Sequence, residues 1–336
     1  MTNVVSLQAT AHKFLAEKYK GLNDDSLNKL VNEGLKASGI EVSPTNNYAN
    51  FKAYLNLVDF KTIFVDTLNN LLIDKWSATS ETWRIWVNNY SLTDFRATAV
   101  TAVGVIPQPD HLDEQKQEYL LKELYGESAS AKLGTYGNLI NIERQTIFSD
   151  DISAINTLLA GISAAYDRQI GDKVYGFLTE NPEVFNETSI FSSEHKNEVT
   201  ATDDFSADLG NALALMYGQT IETHNRKVEN VRVQPKYVIV PPEKALSAAK
   251  VVGEYNKAVT EQQLLVVIVE SRLTGFNGWF LACDNPFASI SLFTLRGELV
   301  PKILTNNTFT IDGLQIKHRL DYDVRPTDYR GLVRVN

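Results

Sequence analysis

Five histidines, one cysteine and a short run of hydroxyl and acid side chains are the residues of this chain best suited to chemistry. His12, His111, His195, His224 and His318 are scattered, and no HExxH or similar spacing brings two imidazoles onto one metal ion. Each reads as a surface or internally satisfied histidine. Ser192-Ser193-Glu194-His195 sets hydroxyls, a carboxylate and an imidazole side by side. A catalytic triad needs side chains that converge, and neighbours in sequence seldom point at one another, so this run reads as non-catalytic. Cys283 precedes Asp284 with no obvious base and reads as a buried structural thiol. As the single cysteine it allows neither an intrachain disulfide nor a thiolate metal cluster, which fits a reducing cytoplasm. Neither GxGxxG nor GxxxxGK occurs, and Gly134 and Gly137 sit in a strand-like context where a turn or bulge accounts for them. No catalytic, cofactor-binding or metal-ligating residue is assigned, and no cofactor is expected.

Composition narrows the classes further. The chain has 336 residues, 43% hydrophobic and 22% charged, which is enough apolar material to bury a core and too much for disorder. That length exceeds one ordinary core, so two lobes or one domain with large excursions are expected. The net charge of -9 and pI near 5.2 come without any run of Lys and Arg, so the basic stripe that phosphate binding needs is missing. Sequence-specific nucleic-acid binding is therefore not expected; were the protein to surround DNA, it would do so as a wall and not as a ligand. The start, MTNVVSLQATAHKF, lacks the pattern of a secretory signal, and no segment approaches the roughly 20 apolar residues that span a bilayer. Leu264 to Val269 (LLVVIV) reads as a buried strand.

The elements that would carry these residues follow from periodicity. Leu7, Phe14, Leu15, Leu22, Leu27, Leu30, Val31 and Leu35 suggest one or two short amphipathic helices, and Asn50 to Asp74 predicts another. From Thr93 to Ile147 the pattern alternates and is rich in β-formers, which predicts a long hairpin. Next comes the clearest helix. It opens at Ser149-Asp150-Asp151 and keeps an apolar face through Ile152, Ile155, Leu158, Leu159, Ile162, Ala165, Tyr166, Ile170, Val174 and Phe177 until Asn181-Pro182 stops it. At 1.5 Å per residue it is a spine of roughly 40 Å. Beyond it, helices are predicted at SADLGNALALMYGQTIETH and PEKALSAAKVVGEYN. Strands are predicted at PKYVIVP, QLLVVIVE, GWFLACD, SISLFTL, Thr308 to Ile311, Leu314 to Arg319 and Tyr329 to Val335. The class is α+β without regular βα alternation.

The hairpin tip, Gln108 to Glu127, carries six acids against two lysines, Lys116 and Lys122, for a local charge of -4. Asp110, Asp113, Glu114, Glu118 and Glu123 are among those acids. A solvated loop is one reading. The other is a projecting arm that needs a partner, because an isolated two-stranded ribbon is marginal in water.

TWRIWVNNYSLTDFRATAV followed by KLGTYGNLINIERQTIFSDDISAI resembles tailed-phage major capsid proteins of the Hong Kong 97-type fold, and within them the Mu-like prophage major head subunit. VYGFLTENPEVFNETSIFSSEHKN, PKYVIVPPEKALSAAKV and DGLQIKHRLDYDVRPTDYRGLVRVN extend the likeness over about Ser80 to Asn336. The resemblance implies a helical N-terminal arm at 1–90, an extended loop with its return strand at 91–148, and a spine helix of the peripheral domain at 149–182. An axial domain at 183–300 and a return to the peripheral domain at 301–336 complete the division. It implies self-assembly through hexamers and pentamers into an icosahedral shell around phage DNA, with portal, scaffold and decoration proteins as further partners. Such a chain ends up in the virion after assembly in the host cytoplasm.

Each extended loop would lie over a neighbouring subunit, so the acidic tip should meet basic residues there, with Arg168 and Lys173 on the spine as candidates. Some relatives crosslink a loop lysine to an asparagine, but nothing around Lys116 or Lys122 singles either out, and no large scaffold segment is expected to be removed. An encapsulin-like nanocompartment shell is the alternative within the same fold. An α+β enzyme with an unrecognised pocket is the alternative from another class, and no spacing in the chain supports it.

Overall fold

The computed structural model describes residues 58–101, 128–143, 152–185, 188–202, 204–222, 228–306 and 313–336. In chain order the elements are α1 (Val58–Ala78), a 3-10 turn at Thr82–Ile85, β1 (Asn88–Leu92), β2 (Thr98–Thr101), β3 (Ser128–Ala131), β4 (Gly134–Glu143) and α2 (Ile152–Glu180). Then come β5 (Glu183–Phe185), β6 (Thr188–Ser189), β7 (Glu198–Val199), α3 (Phe205–Tyr217), β8 (Thr220–Glu222), β9 (Val228–Asn230), β10 (Pro235–Val240) and α4 (Ala245–Ala258). The last are β11 (Val266–Val269), β12 (Trp279–Cys283), β13 (Ile290–Leu295), β14 (Lys302–Asn306), β15 (Gly313–Pro326) and β16 (Leu332–Val335). The α+β class holds. The chain divides into one compact unit of 1–79, 137–164 and 300–320, and a second of 80–136, 165–299 and 321–336.

In the first unit α1 packs on β14, and Asn69 ties them by donating to the Ile303 carbonyl at 3.2 Å and accepting its N–H at 2.8 Å. β14 pairs antiparallel with the start of β15. Leu68, Leu72, Trp76, Ile303 and Ile316 are buried. Gly137 is required in β4, since a Cβ there would lie 2.3 Å from the His318 carbonyl oxygen.

The second unit contains a five-stranded sheet in the order β11-β10-β12-β16-β7, with α3 over β16 and α4 over β11. Val238, Val240, Trp279, Leu281, Val333 and Val335 from the strands meet Leu209, Ala212, Met216, Ala248 and Val252 from the helices in one core. α3 starts where the Asp204 carboxylate accepts the Ser206 N–H, and ends at Gly218. The helix expected through SADLGNALALMYGQTIETH is therefore shorter, because Gly218 stops it and β-branched Thr220 and Ile221 enter β8, paired with β9. β2 and β3 pair antiparallel, four residues on each side of the predicted hairpin, but the rest of its expected return side is β4, which pairs with β15 instead; the tip, with Asp110, Asp113, Glu114, Glu118 and Glu123, lies outside the described residues.

α2 is the expected spine, 29 residues long. Leu159, Ile162, Tyr166, Ile170, Val174 and Leu178 recur every three or four residues and are all buried. Its stop is built from Asn181, in the left-handed region at φ 50°, whose side chain donates to the Phe191 carbonyl at 3.0 Å and accepts the Phe191 N–H at 2.8 Å. Pro182 then bars continuation. The residues expected to open the helix, Ser149 to Asp151, lie outside the described residues.

Candidate assembly surface

Of the two spine cations expected to meet a neighbouring chain, each has a distinct environment. The Lys173 ammonium donates to the Tyr136 hydroxyl at 2.6 Å and stands 4.0 Å and 4.6 Å from the ring centres of Tyr136 and Tyr322. It is a half-buried cation held on two aromatic faces. Around it, the Tyr322 hydroxyl donates to Gln169 at 2.8 Å and the Tyr166 hydroxyl to the Tyr136 carbonyl at 3.1 Å. Burial, and then the charge of Asp321, pushes the Tyr166 phenol up to about 12, so it stays a neutral donor. Arg168 is exposed, and its backbone carbonyl accepts Arg272 at 3.3 Å.

Arg272 is the centre of a polar cluster in the second unit. Its guanidinium donates to Glu81 at 2.9 and 3.3 Å, to Glu270 at 3.1 Å and to Asp172 at 2.6 Å. Burial opposes that charge, but the hydrogen bonds to Glu81 and Asp172 outweigh it and hold the group above its usual range. Gly171 makes room on the spine helix, since a Cβ there would sit 2.9 Å from the guanidinium. Glu270, 2% exposed, also accepts the Arg272 N–H at 3.0 Å and the Thr82 hydroxyl. The Tyr175 hydroxyl lies 2.7 Å from that of Thr82 and accepts Trp86 Nε1 at 3.3 Å. Beside it Arg84 pairs with buried Asp167 at 2.9 Å. Sequence reasoning missed this cluster. The available signal was a set of charges inside aromatic surroundings, Glu81 and Arg84 within ETWRIW.

The residues weighed for chemistry are absorbed by structure. The Ser192 hydroxyl accepts the His195 N–H at 3.2 Å, a local turn. The His195 ring lies 3.0 Å from the Ile190 carbonyl through Nδ1 and stacks on Tyr329 at 3.8 Å. Cys283 is buried as expected, and burial, with Asp328 and Asp284 adding to it, pushes its thiol well up. Asp328 is itself pushed up, by burial. Among the described residues no three His, Cys, Asp or Glu side chains converge as a metal site, and no described helix is long and apolar enough to cross a membrane.

One expectation is overturned. LLVVIV is not a buried strand: β11 ends its sheet, and Leu264, Val266 and Val269 are 40%, 44% and 44% exposed. Water reaches Leu264, Val266 and Val269, while Leu265 and Ile268 are buried. Just before it, a polar cleft of about 470 Å³ is lined by Tyr217, Asn230, Arg232, Gln234, Thr260, Gln262 and Gln263. Arg232 takes the left-handed conformation at φ 55°, fixed where its N–H donates to the Asn230 side chain at 2.8 Å.

Residues 126–335 match the model of a family described as phage capsid protein. No curated protein matches the chain in sequence. Solved structures with a similar trace include a virus-like particle from Pyrococcus furiosus, with TM-score 0.49, 11% identity, and coverage of 81% of this chain and 99% of that one. A phage-related protein from Bordetella bronchiseptica RB50 has TM-score 0.49 and 10% identity, covering 79% and 95%. The procapsid of bacteriophage JBD30 has TM-score 0.48 and 9% identity, covering 83% and 76%.

Proposed function

The chain belongs to the phage capsid protein family, and we propose that it is the major capsid protein of a tailed-phage head, closing through hexamers and pentamers into an icosahedral shell around double-stranded DNA. The family match over 126–335, most of the chain, is the observation that carries this reading. Acidity without a basic stripe supports a wall around DNA and not a ligand of it. The polar network around Arg272 supports a subunit built to be rigid, and the burial of Cys283 and His195 is what structural residues would show.

In this reading residues 1–90 are the arm, 91–148 the extended loop, 149–182 the spine, 183–300 the axial domain and 301–336 the return to the peripheral domain. The acidic loop tip meets the spine of a neighbouring copy, where Arg168 presents an exposed guanidinium and Lys173 a charge already shared with two tyrosines. Portal, scaffold and decoration proteins join at assembly in the host cytoplasm, and within the family the chain resembles the Mu-like prophage head subunits. The test is to purify particles after expression with the neighbouring genes and to identify their nuclease-protected content. Double-stranded DNA is the expected result; a protein cargo in its place would make the shell a nanocompartment. Charge reversal of Glu118 and Glu123 should lower particle yield, and unchanged yield would remove the loop tip from the contact.

A further inference from the structure

The second unit's main sheet has two ends, and they are unlike. β7 contributes two residues, Glu198 and Val199, and its backbone is tied to β16. β11 contributes four residues and pairs only with β10, so no described strand covers its other side; just before it the Asn256 side chain donates to the Leu265 carbonyl at 2.8 Å and accepts its N–H at 2.9 Å. Val266 and Val269 fall on opposite faces of the pleat, so exposure of both marks an edge and not one wetted face. Natural sheets guard such edges with lysine, proline, a bulge or an inward charge. Between Gln263 and Glu270 this chain has none of them: every residue is Leu, Val or Ile. An unguarded β-branched edge on a protein in solution is an association hazard, and on a protein whose task is to meet copies of itself it is a contact.

We propose that this edge is an interface between copies of the chain, with Leu264, Val266 and Val269 as its dry centre and the cleft at Arg232 as its polar rim. The proposal rests on the capsid reading and names a surface that the reading leaves open. A second copy is the occupant because the surface has the anatomy of a protein interface: an apolar strip free of charge, bordered directly by a polar patch with one cation. The strip and the cleft are continuous through Gln263 and Leu264. No described acid pairs with the Arg232 guanidinium, and a chain with 41 acids against 32 bases presents carboxylates to it from almost any copy. Arg232 lies in the segment between β9 and β10, in the left-handed region at φ 55°.

The experiment compares the full-length chain with two double variants, Val266→Lys with Val269→Lys and Val266→Glu with Val269→Glu, by sedimentation and electron microscopy. Both variants should lose assembled particles at least about ten-fold, equivalent to a single 1.4 kcal/mol step in association. The unfolding midpoint of the unassembled subunit should stay close to that of the natural chain, because exposed sites carry small stability effects. Loss with one sign of charge only would overturn the proposal in favour of a general charge effect, and so would full assembly of both variants. Hydrogen exchange on the unaltered chain gives a readout independent of the variants. Amides of Val266 to Val269 should exchange more slowly in particles than in free subunits, and equal exchange overturns the edge while leaving the capsid reading intact. A natural chain that never assembles overturns both.

Discussion

Val269 and Arg272 are three residues apart in the chain and have opposite fates. Arg272 is saturated from within: three carboxylates, a backbone carbonyl and the Tyr175 ring at 5.7 Å surround its guanidinium. Val269 is half exposed on a strand whose outer side no described strand covers. Buried charges must be paired where they stand, because an unpartnered one costs several kcal/mol whatever the chain later binds. Exposed apolar surface has no such urgency in one subunit, since its desolvation can wait for association. The first region holds the fold, and the second is where a copy gains.

Four changes would break or sharpen that contrast. Arg272→Ala should be the largest, leaving Glu270 buried and uncompensated at a cost of about 3–5 kcal/mol, with the lower figure expected because Asp172 is largely in solvent. It is read as a drop of several degrees in the unfolding midpoint, and a drop under about one degree would mean that the cluster is ornamental. Tyr175→Phe strips a hydroxyl from Thr82 and Trp86, both within the same unit, and should cost about 1–3 kcal/mol through the Trp86 N–H it leaves unmet. Equilibrium denaturation measures it.

The third change probes the first unit by pH. Burial lowers the pKa of His318, which is 5% exposed, so the folded chain resists the proton that the unfolded chain takes up. Stability from this site is complete above the usual histidine value and is lost as pH falls through it, toward the lower value of the folded state. His318→Gln should therefore flatten the fall in unfolding midpoint between neutral pH and about pH 5. An unaltered slope would show that the site does not titrate with unfolding. Smallest for the subunit is Val266→Thr, expected to move monomer stability by no more than about 0.5 kcal/mol while lowering particle yield; a large loss of monomer stability would show that the edge already serves the fold.

What could be read from the chain beforehand was whatever is decided locally. The spine was legible because its apolar spacing, and the stop at Asn181-Pro182, are properties of adjacent turns. β1 and β14 were not, since NNYSL and KILTN carry no clear alternation and become strands through pairing with β13 and β15, about 200 and 10 to 20 residues away. The Arg272 cluster was hidden for the same reason: Glu81 is 191 residues from it. The misreading of LLVVIV is of another kind. Hydrophobicity records burial in the state where the protein works, and a strip that a neighbouring copy covers has the composition of a core strand. The acidic loop tip lies outside the described residues, so its pairing with Arg168 and Lys173 is a proposal.

The most direct test of the central claim is negative-stain electron microscopy, with size-exclusion chromatography, of the full chain expressed alone and with its neighbouring genes. A capsid subunit forms shells, capsomers or tubes in at least one of these conditions, and a stable monomer in all of them would contradict the account.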